Sequence, residues 1–182
     1  MKLLISPAKT MRVDRDFLFP ETVPALLERS AWLLDHIRTL SFLELKKLLV
    51  CNDSLAEKAY EDFRSLKLFG GETPALLAYD GIQYKYMAPS LFTQEQLDYV
   101  KDHLRILSGF YGVLRPFDGV SPYRLEMQAK LKTEDCGNLY EFWGGLLGDF
   151  LLKEDTVLVN LASEEYAKAV RPYVKGKARF IT

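Results

Sequence analysis

The sequence has few of the residues that build disulfide frameworks or metal sites. Its two cysteines, Cys51 and Cys136, and its two histidines, His36 and His103, are isolated from one another along the chain. No Cys-x-x-Cys motif and no closely spaced Cys/His pair occurs, which argues against a disulfide scaffold or a zinc centre. Two such thiols are typical of a protein in a reducing cytoplasm. We therefore expect no metal site and no cofactor.

Long apolar runs and an excess of charge of one sign are absent as well. No apolar stretch approaches the roughly 20 residues needed to span a bilayer. The N-terminal run "KLLI" is too short for the core of a signal peptide. The net charge of −1 excludes a general polycation that binds nucleic acid indiscriminately. We expect a cytoplasmic protein with no membrane partner, folded as one domain over residues 1–182.

Charge is unevenly distributed despite this balance. Residues 101–132 contain six basic side chains and three acidic ones. The basic residues are Lys101, Arg105, Arg115, Arg124, Lys130 and Lys132. A locally positive segment of this kind is compatible with an anionic partner.

Apolar strands alternate with amphipathic helices along the chain, which predicts a mixed α/β fold. We expect a central, largely parallel sheet with flanking helices. Strands are predicted at residues 2–5, 75–81, 156–163 and from 178 onward, and helices at 23–50 in two pieces, 54–66, 93–107 and 138–152. Ser41 and Glu44 form a capping-box pattern that opens the second helical piece.

Polar residues occur where the predicted strands end. Ligand groups collect beyond the carboxyl ends of parallel strands, so Ser6, Lys9, Asn160 and Ser163 are expected at one rim of the sheet. Lys9 in "ISPAKT" suits a phosphate ligand or an amine nucleophile, and an ordinary solvated loop lysine is the alternative. Ser163 suits an anion site at a helix N-terminus, although N-capping alone explains it.

The motif "SPYRLEM" places Tyr123, Arg124 and Glu126 within four residues. In an extended segment Arg124 and Glu126 share one face, because side chains alternate with a period of two. The pair suits phosphate binding, with the carboxylate orienting the guanidinium group. An internal ion pair that positions the loop is the alternative.

The segment "LRILSGFYGVLRP", residues 104–116, permits two interpretations. If the preceding helix continues to Leu107, Gly109 and Gly112 form the turn of a helix-hairpin-helix element whose backbone amides approach DNA phosphates. Two residues separate these glycines, whereas the usual hairpin has one. The other interpretation is a sharply bent core segment in which the glycines permit close packing. Spacing alone favours this second interpretation.

The chain resembles the YaaA family of bacterial peroxide-stress proteins through four motifs that occur in the family's order. They are "LLISPAKT", "LRILSGFYGVLRPFDGVSPYRLEM", "NLYEFWG" and "VLVNLASEEY", spread over almost the whole chain. The resemblance implies a cytoplasmic protein that protects against hydrogen peroxide, is linked to DNA protection or repair, and limits damage from free iron. It also implies a positive cleft with a helix-hairpin-helix element, on a mixed α/β fold peculiar to the family, that binds double-stranded DNA.

Two hypotheses about function follow, and the first is favoured. In the first, a non-enzymatic protein binds double-stranded DNA with low sequence specificity. Its candidate DNA-binding residues are Arg105, Gly109, Gly112, Arg115, Arg124 and Lys130. In the second, an enzyme acts on a nucleotide or a damaged base in a pocket. The candidate pocket residues are Ser6, Lys9, Tyr123, Asn160 and Ser163, joined by Arg124 and Glu126, and the catalytic candidates are Lys9 and Glu126.

The resemblance also bears on the end of the chain. The family continues beyond the position of Thr182 with another basic segment and a further strand-like piece. On that basis we expect a domain that lacks the C-terminal part of the family domain. An uncovered sheet edge would then invite self-association.

Overall fold

The computed structural model describes residues 1–182, with nine strands and ten α-helices. The strands are β1 (Lys2–Ile5), β2 (Thr10–Met11), β3 (Thr73–Pro74), β4 (Tyr79–Asp80), β5 (Leu104–Ser108), β6 (Gly112–Leu114), β7 (Gly119–Val120), β8 (Val157–Asn160) and β9 (Arg179–Ile181). The helices are α1 (Leu27–Thr39), α2 (Phe42–Leu49), α3 (Asp53–Ser65), α4 (Ala75–Ala78), α5 (Ile82–Met87), α6 (Gln94–His103), α7 (Leu139–Trp143), α8 (Leu146–Glu154), α9 (Glu164–Ala167) and α10 (Arg171–Val174).

The central sheet has five strands in the order β6–β5–β1–β8–β9. β1 lies in the middle and pairs in parallel with β5 and β8, and β8 pairs in parallel with β9. β6 is antiparallel, because a short turn joins it directly to β5. The apolar run "KLLI" suits the central position of β1, since strands covered on both faces have continuous apolar sequences. The predicted mixed α/β fold with a largely parallel sheet is confirmed.

Several helix limits follow from local sequence signals. The hydroxyl of Ser41 accepts the N–H of Glu44, and the Glu44 carboxylate accepts the N–H of Ser41, so the predicted capping box opens α2. α3 agrees with the predicted helix at residues 54–66 to within one residue. The predicted helix at residues 138–152 is divided into α7 and α8, because Gly144 adopts a φ of +47°.

Two predicted elements are partly wrong. The segment at residues 75–81 is the one-turn helix α4 followed by the two-residue strand β4, where a single strand is predicted. The helix predicted over residues 93–107 ends at His103, and the next five residues form the fully buried strand β5. Leu104 and Leu107 match the helical period, but a short apolar run buried on both faces suits a strand equally.

Residues 104–114 form a β-hairpin, so the helix-hairpin-helix prediction is wrong for this segment. β5 and β6 pair antiparallel, with Ser108 opposite Gly112. Every residue from 104 to 114 is buried. A Cβ atom on Gly109 would lie 2.3 Å from the carbonyl oxygen of Leu125. The glycines therefore permit close packing in the core, which is the interpretation that their spacing favours.

The hydrophobic core is one connected cluster of 44 buried residues, so the sheet and its helices share a single interior. Trp143 of α7 is among its largest fully buried side chains and donates its indole N–H to the carbonyl oxygen of Gly109 at 3.0 Å. This bond attaches α7 to the hairpin turn. No helix combines the length and the apolarity that a bilayer crossing requires.

Candidate functional site

A cavity of about 480 Å³ opens at the carboxyl ends of β1 and β8. Residues 6–9 after β1, residues 161–163 after β8 and residues 123–126 form most of its wall. The remaining lining residues are Gln83, Glu165 and Tyr166. The topology explains this position, because the carboxyl ends of neighbouring parallel strands lie at the same edge of a sheet.

Ser6 and Ser163 connect the two strand ends at the cavity. The N–H of Ser163 donates to Ser6 Oγ at 2.9 Å, and the Ser6 hydroxyl donates to Ser163 Oγ at 3.2 Å. Ser163 occupies the N-cap position of α9, yet its side chain makes no capping hydrogen bond. The Ser163 hydroxyl group donates no hydrogen bond within the protein, so its hydrogen is a free donor at the cavity wall.

Lys9, Arg124 and Glu126 form one charged cluster in the cavity. Arg124 Nη2 donates to Glu126 Oε1 at 2.8 Å, and Lys9 Nζ lies 3.6 Å from the same oxygen. The side chains of Arg124 and Glu126 are 17% and 16% exposed, whereas that of Lys9 is 70% exposed. Arg124 Nε is buried without a hydrogen-bond partner. The cluster thus consists of a sheltered ion pair and one exposed cation at the rim.

Tyr123 lines the cavity but its hydroxyl group lies in the core. Its Oη lies 2.6 Å from Ser108 Oγ and 2.9 Å from Tyr79 Oη. Ser108 Oγ already accepts two backbone N–H groups, so Ser108 donates its proton to Tyr123. Burial raises the pKa of Tyr123 to about 12. These bonds fix the backbone that carries the neighbouring Arg124.

Asn160 ends β8 and lies behind the cavity, outside its lining. The side chain is buried, and Nδ2 donates to the carbonyl oxygen of Ala162 at 3.2 Å. Ala162 belongs to the cavity wall. Oδ1 of Asn160 has no hydrogen-bond partner. Asn160 therefore supports the turn after β8 and does not face a ligand in the cavity.

Arg105 and Arg115 lie apart from the cavity, beside Glu154 of α8. Arg105 is 5% exposed, and its Nε and Nη2 atoms donate to the two Glu154 carboxylate oxygens at 2.6 and 3.0 Å. Arg115 Nε lies 3.5 Å from Glu154 and its side chain is 40% exposed. The structure therefore separates these two arginines from Arg124, and Arg105 is an internal ion-pair partner.

The other predicted DNA-binding residues are also dispersed. Gly109 and Gly112 lie in the buried hairpin, where their backbone amides do not reach the surface. Gly112 has a φ of +78°, and a Cβ atom there would lie 2.9 Å from Leu147 and Trp143. Lys130 has an exposed side chain, while its backbone N–H donates to the carbonyl oxygen of Leu48 at 2.9 Å.

Three of the polar lining residues, Gln83, Glu165 and Tyr166, are absent from the set that the sequence predicts for the pocket. Glu165 belongs to the motif "NLASEEY", and its Oε1 accepts the N–H of Gln128 at 3.1 Å. A carboxylate in the first turn of a helix is usually explained by the helix dipole. Because that explanation is sufficient, the sequence alone does not indicate that Glu165 has a role in the cavity. Its position beyond the carboxyl end of a strand is the signal that identifies it.

A second, smaller cavity of about 60 Å³ adjoins the first. Lys9, Tyr123 and Arg124 line both cavities, and Lys58 and Asp62 of α3 line only the second of the two. Burial raises the pKa of the Asp62 carboxyl group, and the nearby Lys58 opposes this effect. The two cavities together are lined by three cationic side chains, Lys9, Arg124 and Lys58.

Comparison with known proteins identifies the family. The sequence profile described as peroxide stress protein YaaA matches residues 1–182. A UPF0246 protein of Desulfitobacterium hafniense is 52% identical over 181 residues, which cover 100% of this chain and 72% of the relative. UPF0246 proteins of Pediococcus pentosaceus and Agathobacter rectalis are 51% and 47% identical over the whole chain, which covers 72% and 73% of their lengths. The chain therefore belongs to the YaaA family of peroxide stress proteins.

Proposed function

We propose that the cavity at the carboxyl ends of β1 and β8 binds a nucleotide or a damaged base. This binding would serve the response to peroxide stress with which the family's name associates the protein. The cluster of Lys9, Arg124 and Glu126 is the observation that carries the proposal. These residues come from two motifs that are far apart in the sequence, yet they meet in one cavity with Ser6 and Ser163.

The anionic end of the ligand would bind at Arg124 and Lys9. A guanidinium group offers planar donors that match phosphate oxygens, and a lysine adds a compact positive charge. The Arg124 side chain is 17% exposed and lines the cavity, so a ligand oxygen can reach its guanidinium group. The free hydroxyl proton of Ser163 is a further donor at the same cavity.

The ring system of the ligand would lie against the apolar part of the wall. The apolar lining residues are Pro7, Ala8, Leu125, Leu161 and Ala162. The volume of about 480 Å³ falls within the range of roughly 300–1,000 Å³ that is typical of small-molecule sites. Two carboxylates offset the two lining cations, which favours a ligand with one charged end over a polyphosphate.

An enzymatic role for this cavity would use Glu126 as the general acid or base. Oε1 of Glu126 is held by Arg124, while the second carboxylate oxygen makes no hydrogen bond and is free to exchange a proton with a ligand. Lys9 has a different role in this scheme. A lysine nucleophile is activated by desolvation, and the 70% exposure of Lys9 favours phosphate binding instead.

Isothermal titration calorimetry with 5′-nucleoside monophosphates tests the proposed binding. We expect Arg124→Ala to weaken the affinity about tenfold or more, because hydrogen bonds to charged groups contribute about 1.5–3 kcal/mol. Arg15→Ala is the matched control, since Arg15 also pairs with a carboxylate, Glu72, but lies outside the cavity. Equal affinities of the wild type and Arg124→Ala would contradict the proposal.

Binding of duplex DNA with low sequence specificity is a second candidate function. The observation that favours it is the smaller cavity, which extends the cationic lining from Lys9 and Arg124 to Lys58. A nucleic-acid backbone that follows both cavities would meet all three cations. Arg105, Gly109 and Gly112 take no part in this candidate, because they are buried.

A salt titration of duplex binding tests this second candidate. The logarithm of the affinity should fall by about 0.9 per log unit of salt for each phosphate that the protein neutralises. Arg124→Ala should reduce that slope by about one, and Arg105→Ala should leave it unchanged. Tight duplex binding with a flat salt response would contradict the candidate.

A further inference from the structure

Glu165 is a carboxylate in the cavity wall that the cluster of Lys9, Arg124 and Glu126 does not use. It lies in α9 and lines the cavity. No lysine or arginine forms an ion pair with Glu165, whereas the adjacent Glu164 pairs with Arg171 at 2.8 Å. The cavity therefore contains one carboxylate without a cationic partner.

The position of Glu165 is fixed by two hydrogen bonds. Its Oε1 accepts the N–H of Gln128 at 3.1 Å, and its backbone carbonyl accepts the hydroxyl group of Tyr140 at 3.0 Å. The second side-chain oxygen has no partner in the protein. A fixed carboxylate with an unused oxygen is a preorganised acceptor, so its side chain loses little conformational entropy when a ligand binds to it.

The charges of the lining residues indicate what Glu165 would bind. Glu126 holds both lining cations, Lys9 and Arg124, through a single oxygen. Glu165 is thus the carboxylate that remains available to a ligand. An ionised carboxylate only accepts hydrogen bonds, so the complementary ligand group is an N–H donor.

We propose that Glu165 is the specificity-determining residue of this cavity and selects bases that present adjacent N–H donors. The inference rests on the nucleotide binding proposed above. Guanine presents such an edge, formed by its ring N–H and its exocyclic amino group, and guanine oxidised at C8 keeps both donors. Adenine presents an acceptor nitrogen in place of the ring N–H, and a carboxylate repels it.

The expected discrimination is large enough to measure. A good bidentate pair between a side chain and a base gives roughly ten- to a hundredfold preference over the wrong base. A site that is built to accept hydrogen bonds also rejects ligands that leave its polar groups unpaired. We therefore expect GMP to bind at least about tenfold more tightly than AMP.

The experiment is calorimetric titration of the full chain with GMP, 8-oxo-GMP, AMP and inorganic phosphate. Glu165→Gln is the test variant, because its amide keeps an acceptor for the N–H of Gln128 but presents donors to the ligand. The preference for GMP over AMP should then disappear or reverse, while any gain in phosphate affinity from the lost negative charge should be the same for both nucleotides. Glu164→Gln is the matched control and should keep the wild-type preference, since Glu164 lies outside the cavity.

Each outcome of this experiment decides a different point. Tighter binding of both guanine nucleotides than of AMP supports the inference. If 8-oxo-GMP binds more tightly than GMP, the oxidised base is the preferred ligand. If the two bind equally, the cavity recognises the pair of N–H donors that both bases share. AMP that binds as tightly as GMP to the wild type, or a preference that survives Glu165→Gln, overturns the inference.

The same titrations distinguish a failure of the inference about Glu165 from a failure of the proposed nucleotide binding. If the wild type binds all nucleotides alike and Arg124→Ala weakens all of them, the inference about Glu165 fails and the proposed function stands. If no nucleotide binds to the wild type, both are overturned. If the variant does not fold, a wild type that binds AMP as tightly as GMP still overturns the inference.

Discussion

Arg124 Nη2 donates a hydrogen bond of 2.8 Å to Glu126 Oε1 in the cavity wall. Lys9 Nζ lies 3.6 Å from the same oxygen, so one carboxylate oxygen holds both lining cations. A ligand phosphate must compete with Glu126 for these cations. The charge of Glu126 therefore controls how strongly the cavity attracts anions.

Replacement of Glu126 by glutamine should tighten the binding of anions. We expect Glu126→Gln to bind nucleoside monophosphates and inorganic phosphate several-fold more tightly, because removal of the competing charge is worth on the order of 1 kcal/mol at such a site. Any turnover that depends on Glu126 as an acid or base should be lost at the same time. Glu72→Gln is the control, since Glu72 accepts Arg15 outside the cavity. An unchanged or weaker phosphate affinity of Glu126→Gln would contradict the competition.

Arg105 is expected to stabilise the fold without contributing to ligand binding. Arg105→Ala leaves Glu154, whose side chain is only 15% exposed, without its closest partner, which should lower the free energy of unfolding by about 3 kcal/mol. Urea denaturation measures this change. Arg15→Ala breaks an exposed ion pair and should cost about 1 kcal/mol or less. Comparable losses in the two variants, or a weaker nucleotide affinity of Arg105→Ala, would argue against the structural role of Arg105.

Gly109 is expected to tolerate no larger side chain. A methyl group at this position would meet the carbonyl oxygen of Leu125 at 2.3 Å, so Gly109→Ala should destabilise the protein by about 1–3 kcal/mol. The displaced residue adjoins Arg124, and the nucleotide affinity should fall as well. Gly145→Ala is the control, because a Cβ atom there meets nothing closer than 3.5 Å. Equal thermal midpoints of the two variants would be inconsistent with the buried hairpin.

The buried tyrosines predict a loss of stability in alkali. Burial raises the pKa of Tyr123 to about 12, compared with about 10 in an unfolded chain. The unfolded chain releases the phenol proton first as the pH rises. The contribution of the protonated Tyr123 to the free energy of unfolding is therefore complete below about pH 10 and is lost progressively between about pH 10 and 12. Urea denaturation at a series of pH values should show this decline.

Two variants test the origin of the alkaline effect. Tyr123→Phe should be less stable at neutral pH, because Ser108 loses its acceptor, and its stability should fall less steeply above about pH 10. Tyr86→Phe should behave like the wild type, since Tyr86 is 85% exposed. If the free energy of unfolding falls equally with rising pH in Tyr123→Phe and the wild type, Tyr123 does not contribute to the loss of stability in alkali.

Features that depend on neighbours in the sequence were predictable. The run "KLLI" indicates the central strand β1, and the pattern of Ser41 and Glu44 indicates the start of α2. Arg124 and Glu126 share one face because side chains alternate in an extended segment. The rule that polar groups collect beyond parallel strands brings Ser6 and Ser163 together.

Features that depend on distant partners were not predictable. The apolar spacing in residues 104–107 suits a helix and a strand alike, and only the pairing of β5 with β1 decides between them. The burial of Arg105 depends on Glu154, which lies on a different element of the chain. Lys9 joins the charged cluster by approaching Glu126, and this contact depends on how the loop that carries Lys9 packs against the segment that carries Glu126.

A crystal structure of the protein with a bound nucleoside monophosphate tests the proposed binding site most directly. We expect phosphate oxygens within hydrogen-bonding distance, about 2.7–3.2 Å, of the Arg124 guanidinium group. We also expect the base to lie in the same cavity, beside Glu165. A nucleotide bound elsewhere, for example beside Arg115, with the Arg124–Glu126 pair unchanged and no ligand in the cavity, would contradict the proposed site.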